Sequence, residues 1–224
     1  DQELSAGMLN RGVSNAQRKV EERNFAMRKH LLEYDDVLNQ QREIIYDLRN
    51  KALLSESIKD TINEFIEDFI YDNIGELDFK NIKDWDWANL NQRFNAHLFV
   101  NIDTKDIEKF KNIEDLEKYI FDKAIDYYKV KEEVIPSELL RKVEKFIVLK
   151  TIDEKWRNHL LGMDQLREGI GLRAYGQKNP LVEYKQEGFK MFGQMMHETN
   201  KETLKRVFRA DLSNAQQPNT ELIQ

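Results

Sequence analysis

Residue types that carry chemistry are sparse in this chain. Asp35 and Asp36 could act as a general acid and base, or could bind a metal ion together with His30. Neighbouring residues of a helix point in directions about 100° apart, so the two carboxylates do not converge on one reacting atom. Contact with an arginine elsewhere in the chain fits them better. Four histidines are far apart in sequence and fit ordinary helix residues better than ligands: His30, His97, His159 and His197.

Sequence motifs of known catalytic and cofactor sites are missing. The chain has no cysteine, no H-E-x-x-H or E-x-x-H metal motif, no phosphate-binding Walker loop and no G-x-S-x-G motif. We therefore predict no catalytic residue, no metal site and no cofactor in this chain. In particular we expect no binding of ATP, and titration with ADP should give no saturable heat.

One short segment combines basic and aromatic residues. Arg173, Tyr175 and Lys178 lie in a stretch that also contains Gly171 and Gly176. Such a group could stack on a nucleic-acid base. The chain as a whole, however, carries a net charge of -6 and has no basic stripe, so we predict no nucleic-acid partner.

Composition predicts the fold class. Charged residues make up 34% of the chain, while it has only 9 glycines and 3 prolines, which indicates an all-α protein. No run of about 18 apolar residues and no signal peptide is visible, so we expect no membrane span. The lack of cysteine fits a reducing compartment, and cytosol is the expected location. A chain that starts at Asp1 without an initiator Met reads as an excised segment.

The elements that must position these residues follow from apolar periodicity. Residues 1–54 are predicted to form an N-terminal tail and one long helix, because no Gly or Pro occurs from Ser14 to Leu54. Its apolar residues recur at steps of three, four or seven: Ala16, Val20, Met27, Leu31, Tyr34, Leu38, Ile45 and Leu48.

Residues 55–133 are predicted to form a small helical subdomain inserted between longer helices. It contains 20 acidic residues against 11 basic ones, which we interpret as a solvated face rather than a cation-binding surface. One helix should end near Gly75, another should run from Trp87 to Phe99, and Asn112 should cap a third that continues through Tyr128. The first has an apolar face made of Ile58, Ile62, Phe65 and Phe69.

Residues 134–208 are predicted to form a long αα-hairpin, followed by a flexible polar tail at 209–224. The first arm starts after Pro136 and has a long apolar stripe on which Phe146 and Trp156 fall. We expect the Trp156 ring to be buried and its truncation to cost about 3–5 kcal/mol of stability. Asn179 and Pro180 predict an N-cap and a first helical residue for the second arm. Gly188 and Gly193 on that arm predict close packing.

Two blocks of the sequence resemble the SecA preprotein translocases. The first runs from Asn15 to Val37 and continues from Asn39 to Tyr46, and it is similar to the SecA scaffold helix. The second runs from Ile152 to Phe189 and is similar to the SecA two-helix finger. Position alone, between these blocks, assigns the middle segment to the helical wing domain. The resemblance covers about two thirds of the chain.

This resemblance implies a mechanical role in protein transport. The long helix would lie along the nucleotide-binding domains of the same parent chain, whose cofactors would be ATP and magnesium. The finger would contact the SecY channel complex, and Tyr175, Arg173 and Lys178 at its tip would touch the unfolded preprotein. The parent would be a protein-transporting ATPase, peripheral on the cytoplasmic face of the inner membrane, with anionic lipid as a further partner.

The sequence departs from the SecA pattern in two places, and two alternative functions stay open. Gly176 stands where Ala is more usual, and the cysteine-rich zinc tail is not in this sequence. One rival function is a free-standing helical adaptor whose hairpin binds a partner groove. The other is an autonomous enzyme on a helical bundle, which would need convergent polar groups in a pocket.

Overall fold

A computed structural model describes residues 6–103, 105–171 and 179–210 of the chain. Every regular element in these ranges is helical, which confirms the predicted all-α fold. The α-helices are α1 Ala6–Leu54, α2 Lys59–Ile74, α3 Trp87–Leu98, α4 Ile113–Val134, α5 Ser137–Ile170 and α6 Pro180–Arg209. Two short 3₁₀ helices, Phe79–Asp84 and Ile107–Lys109, lie between α2 and α4.

Helix α1 begins earlier than the sequence predicts. The periodic pattern places its start near Ser14, but the helix begins at Ala6 and passes through Gly7 and Gly12. Glycine in a helix costs about 1 kcal/mol relative to alanine, so these residues weaken the first turns without ending the helix. Both glycines have open space around the Cα, and neither marks a close packing contact.

The chain divides into two compact units. The first unit contains residues 1–44 and 162–190, and the second contains residues 45–161 and 191–224. Helices α1, α5 and α6 contribute residues to both units.

The second unit has a continuous apolar core. Helix α2 packs against α4, and the predicted face of α2 is buried. The core also takes residues from the end of α1, from α5 and from α6, such as Ala52, Val148 and Phe208. The inserted segment 55–133 therefore shares its core with the long helices around it. The boundaries at residues 54 and 133 stay predictions from the sequence.

Polar caps set the helix starts of this unit. The Asp115 N–H donates to Asn112 Oδ1 at 2.8 Å, which confirms Asn112 as the N-cap of α4. The Asp86 side chain caps α3 in the same way, accepting from the Asn89 N–H at 3.1 Å. Helix α3 ends at Leu98 because Phe99 adopts a left-handed conformation, with φ of 55°. A side-chain acceptor at an N-cap satisfies an otherwise unpaired backbone N–H.

Helices α5 and α6 pair side by side in opposite directions within each unit. In the second unit Lys155 Nζ lies 3.6 Å from Glu198 Oε2, and Arg206 Nη1 lies 2.9 Å from Glu154 Oε2. In the first unit Met163 lies against Gly188. These contacts are those of an αα-hairpin.

The predicted apolar stripe of α5 is wrong at Phe146. Phe146 is 63% exposed, whereas Leu140, Val148 and Ile152 are buried, together with the acidic side chain of Glu144. The buried positions follow steps of four along the helix. One of them is Glu144, which a search for apolar residues alone does not include.

Trp156 is half-buried rather than fully buried. Its ring stacks on the His159 ring with centroids 5.5 Å apart and packs against the core of the second unit. Replacing Trp156 with alanine should therefore lower the free energy of unfolding by about 2–3 kcal/mol, less than full burial would give. Urea denaturation followed by circular dichroism measures the change. Phe146→Ala on the same helix is the matched control and should cost about 0.5 kcal/mol or less. Equal losses in the two variants would contradict the packing described for Trp156.

Candidate functional site

The predicted polypeptide-contact residues lie in the connection between α5 and α6. Arg173, Tyr175 and Lys178 are outside the residues that the structure describes. The structure does describe the two helix ends that lead to them, and the packing that holds those ends in the first unit.

The helix ends on either side of this connection are both well defined by local interactions. Helix α5 ends at Ile170, whose side chain is buried. The Leu181 N–H donates to Asn179 Oδ1 at 3.0 Å, and the Glu183 N–H donates to the Asn179 carbonyl at 3.1 Å. The predicted pair of Asn179 as N-cap and Pro180 as first helical residue is therefore confirmed.

An aromatic pair with an ion pair at its edge ties α1 to the hairpin within the first unit. The Tyr34 and Tyr184 rings lie with centroids 4.8 Å apart, and both side chains are buried. Arg167 Nη1 lies 3.0 Å from Asp35 Oδ1, and its guanidinium lies 5.9 Å from the centroid of the Tyr34 ring. Burial raises the pKa of the Tyr184 hydroxyl, so this phenol stays neutral.

A close approach of backbone and side chain lies one turn further along α6. Gln41 Nε2 donates to the Gly188 carbonyl at 3.1 Å. A Cβ atom at Gly188 would lie 2.9 Å from Met163 Cε and 3.6 Å from Val37 Cγ1. Close packing is thus confirmed at Gly188. It is wrong for Gly193, which has no such neighbour within 4 Å.

Of the two neighbouring acidic residues Asp35 and Asp36, one forms an ion pair that joins two helices. Asp35 pairs with Arg167, as expected for contact with an arginine, whereas Asp36 accepts a hydrogen bond from Gln40 Nε2 at 2.9 Å. His30 does not join them, because its ring packs on Tyr34 with centroids 5.0 Å apart. Within residues 6–103, 105–171 and 179–210, no group of His, Asp and Glu side chains could hold a metal ion.

Apolar side chains lie exposed along the part of α1 that belongs to the first unit. Charged residues are interspersed among them on the helix. Leu9, Val13, Val20, Phe25, Met27, Leu31 and Leu32 are each more than half exposed. Leu9, Val13, Val20, Met27 and Leu31 recur at steps of four and seven and therefore lie on one face of the helix, and an exposed apolar face marks a site of protein contact.

A buried carboxylate lies in the second unit, where α4 and α5 meet. Glu144 is 1% exposed, and Arg141 Nη1 lies 2.7 Å from its Oε2 atom. The same guanidinium also pairs with Glu132 and donates to Tyr128 Oη at 3.3 Å. Glu144 Oε1 has no hydrogen-bond partner among the described residues. Burial raises the pKa of Glu144 to about 8, with Lys59 acting in the opposite direction.

Glu144→Gln should remove a pH dependence of stability. The pKa of Glu144 is 4.5 in the unfolded chain and about 8 in the folded chain. Between these two pH values the folded chain keeps the Glu144 proton, whereas the unfolded chain has released it. Stability contributed by this proton therefore falls as the pH rises through that window. We expect the variant to gain about 1–3 kcal/mol over the parent sequence at pH 8.5 and little at pH 5. Urea unfolding at both pH values measures this gain, with Glu138→Gln on the exposed face as control. A gain that is the same at both pH values would contradict the assignment.

Among the described residues, no helix combines the length and the apolar content that crossing a membrane requires.

The arrangement defines a helical scaffold segment with a hairpin. The described part of α1 presents exposed apolar side chains. The chain matches the SecA Wing and Scaffold domain over residues 3–211, and it therefore belongs to this family. The resemblance found in the sequence is confirmed.

Relatives of the chain carry the name protein translocase subunit SecA. That of Prosthecochloris aestuarii is 44% identical over 206 residues, covering 90% of this chain and 19% of the relative. That of Chlorobaculum tepidum is 43% identical over 206 residues, covering 92% and 20%. That of Thermodesulfovibrio yellowstonii is 38% identical over 217 residues, covering 97% and 24%. The chain spans about a fifth to a quarter of the length of these relatives.

Proposed function

We propose that this chain is the wing and scaffold part of a SecA preprotein translocase, which relays motions of ATPase domains to a finger in the SecY channel. The family match over residues 3–211 carries the proposal. ATP and magnesium would bind to other domains of the parent chain, and the parent would work at the cytoplasmic face of the membrane.

The surface of α1 supports contact with such domains. Its exposed apolar side chains from Leu9 to Leu32 need a cover, and the matched relatives are four to five times longer than this chain. Nucleotide-binding domains of the same parent are the proposed cover. Burying each such side chain would contribute about 1.5–3 kcal/mol.

The paired arms of the hairpin support the proposed role of the finger. Its arms are held to α1 in the first unit by the buried Tyr34 and Tyr184 rings and by the Asp35–Arg167 ion pair. A well-packed base lets a helix pair transmit force rather than bend. In this proposal the finger touches SecY and the unfolded preprotein, and anionic lipid is a further contact.

A chimera tests the proposal. The matched segment of the Prosthecochloris aestuarii SecA is replaced by this chain, and ATP hydrolysis and preprotein transport into vesicles with SecY are measured. We expect transport to persist. The control chimera has residues 172–178 replaced by a Gly-Ser linker of equal length, and should hydrolyse ATP without transport. A folded chimera that hydrolyses ATP and transports nothing would favour the free-standing adaptor instead.

A further inference from the structure

A pocket of about 450 Å³ lies between α2, α3 and α6 within the second unit. Arg93 and Lys201 line it from α3 and α6, and the amides of Asn73 and Gln92 line it as well. A pocket of this volume is within the usual range of small-ligand sites. Neither the wing nor the scaffold role proposed above makes use of it.

The charges around the pocket favour an anion. Its one lining carboxylate, Asp72, is already engaged, since Asp72 Oδ2 lies 2.5 Å from His197 Nδ1. Arg93 Nη1 makes a long contact of 3.4 Å with Asn73 Oδ1. Lys201 Nζ lies 3.7 Å from Glu198 Oε1, a loose pair at the helix surface.

The buried His97 side chain also lies close to positive charges. Burial lowers the pKa of its imidazole, the hydrogen bond with the Arg93 carbonyl raises it, and Lys201, Lys205 and Arg209 lower it further. The His97 ring lies in segment 55–133, which is acidic overall, yet three cations of α6 act on it. Two cations, Arg93 and Lys201, line the pocket itself, and its lining carboxylate is paired with His197.

We propose that this pocket binds a phosphate group. Arg93 offers a planar fork of N–H donors that matches two phosphate oxygens, and Lys201 offers a point charge from the facing helix. The side-chain amide of Gln92 supplies a neutral donor at the rim, whereas the Asn73 amide already donates to the Phe69 carbonyl at 2.7 Å. The pocket is larger than a phosphate ion, so the group can be part of a small phosphomonoester or of a lipid head group.

Titration of the 224-residue chain, labelled with ¹⁵N, tests the site. Inorganic phosphate is added at constant ionic strength against chloride. We expect saturable shifts of the amide signals of residues 92–97 and 197–201. Arg93→Gln with Lys201→Gln should weaken binding at least about tenfold, because two charge-assisted contacts are lost. The control Lys129→Gln with Lys142→Gln removes the same charge from surface ion pairs and should bind as the parent sequence does.

A second variant and a second probe make the result decisive. Gln92→Glu, which places a carboxylate at the exposed rim, should also weaken binding while leaving the fold intact. Flotation with phosphatidylglycerol vesicles, compared with phosphatidylcholine vesicles, separates the two sources of phosphate. The site is supported if the pocket variants, but not the control variant, lose the phosphate-induced shifts or the vesicle binding. Phosphate and vesicle binding that are both absent, or both unchanged in the pocket variants, would overturn it.

Discussion

Replacing Tyr184 with alanine is expected to lower the free energy of unfolding by about 3–5 kcal/mol. The side chain is 0% exposed and its ring packs against Tyr34 in the first unit. Truncation leaves a cavity lined by Tyr34 and by the Arg167–Asp35 pair, which cannot close without breaking the contact between α1 and the hairpin. Urea denaturation followed by far-ultraviolet circular dichroism measures the loss.

Tyr184→Phe is the matched control for this prediction. The Tyr184 hydroxyl is buried and has no hydrogen-bond partner among the described residues. Its removal therefore gives up no bond and relieves a desolvation penalty, so the phenylalanine variant should be as stable as the parent sequence or more stable by about 1 kcal/mol. A loss as large as that of the alanine variant would show that the hydroxyl, not the ring, holds the packing.

Local signals in the sequence predicted much of the fold correctly. The N-caps at Asn112 and Asn179 depend on one side chain and one backbone N–H a few residues away, and both form as predicted. The predicted apolar face of α2 is buried, and α4 of the same segment packs against α2. Such features depend on short-range chemistry, which a sequence shows directly.

Burial on the long helices could not be predicted in the same way. Val20 and Ile45 belong to one apolar series on α1, yet Val20 is more than half exposed and Ile45 is buried. Periodicity gives the face of a helix that seeks a partner but not whether the partner is in the chain. The ion pair between Asp35 and Arg167 likewise joins residues 132 positions apart, so only its chemical type could be predicted.

Glu144 was missed although a signal for it exists. It falls four residues after Leu140 and four before Val148, in a row that continues to Ile152. If the apolar residues of such a row are buried, a carboxylate in the same row is buried with them. A buried carboxylate must be neutralised by a nearby cation or by a bound proton. Arg141, three residues earlier, donates to Glu144 Oε2 in this chain, and burial raises the pKa of Glu144 to about 8, so that its carboxyl also keeps a proton near neutral pH.

Replacing Tyr175 with alanine in the longer translocase is expected to lower preprotein transport by about tenfold, a loss of about 1.4 kcal/mol in a contact that drives the step. The residue lies between Gly171 and Gly176, in the connection from α5 to α6, where no apolar stripe continues. A tyrosine ring covers a large area at a low cost in conformational entropy, and its contact does not require a particular partner sequence. It therefore suits contact with many different unfolded chains.

The Tyr175 variant must separate transport from folding and from ATP hydrolysis. Because Ile170 is buried at the end of α5 and Asn179 caps the start of α6, Tyr175→Ala should leave thermal stability and basal ATP hydrolysis nearly unchanged. Tyr175→Phe keeps the ring and should keep most of the transport, whereas Lys178→Ala removes a charge but no ring and should have a smaller effect. Transport into vesicles with SecY is the measurement. An unchanged rate with alanine at this position would remove Tyr175 from the mechanism, and a phenylalanine variant as impaired as the alanine one would assign the role to the hydroxyl.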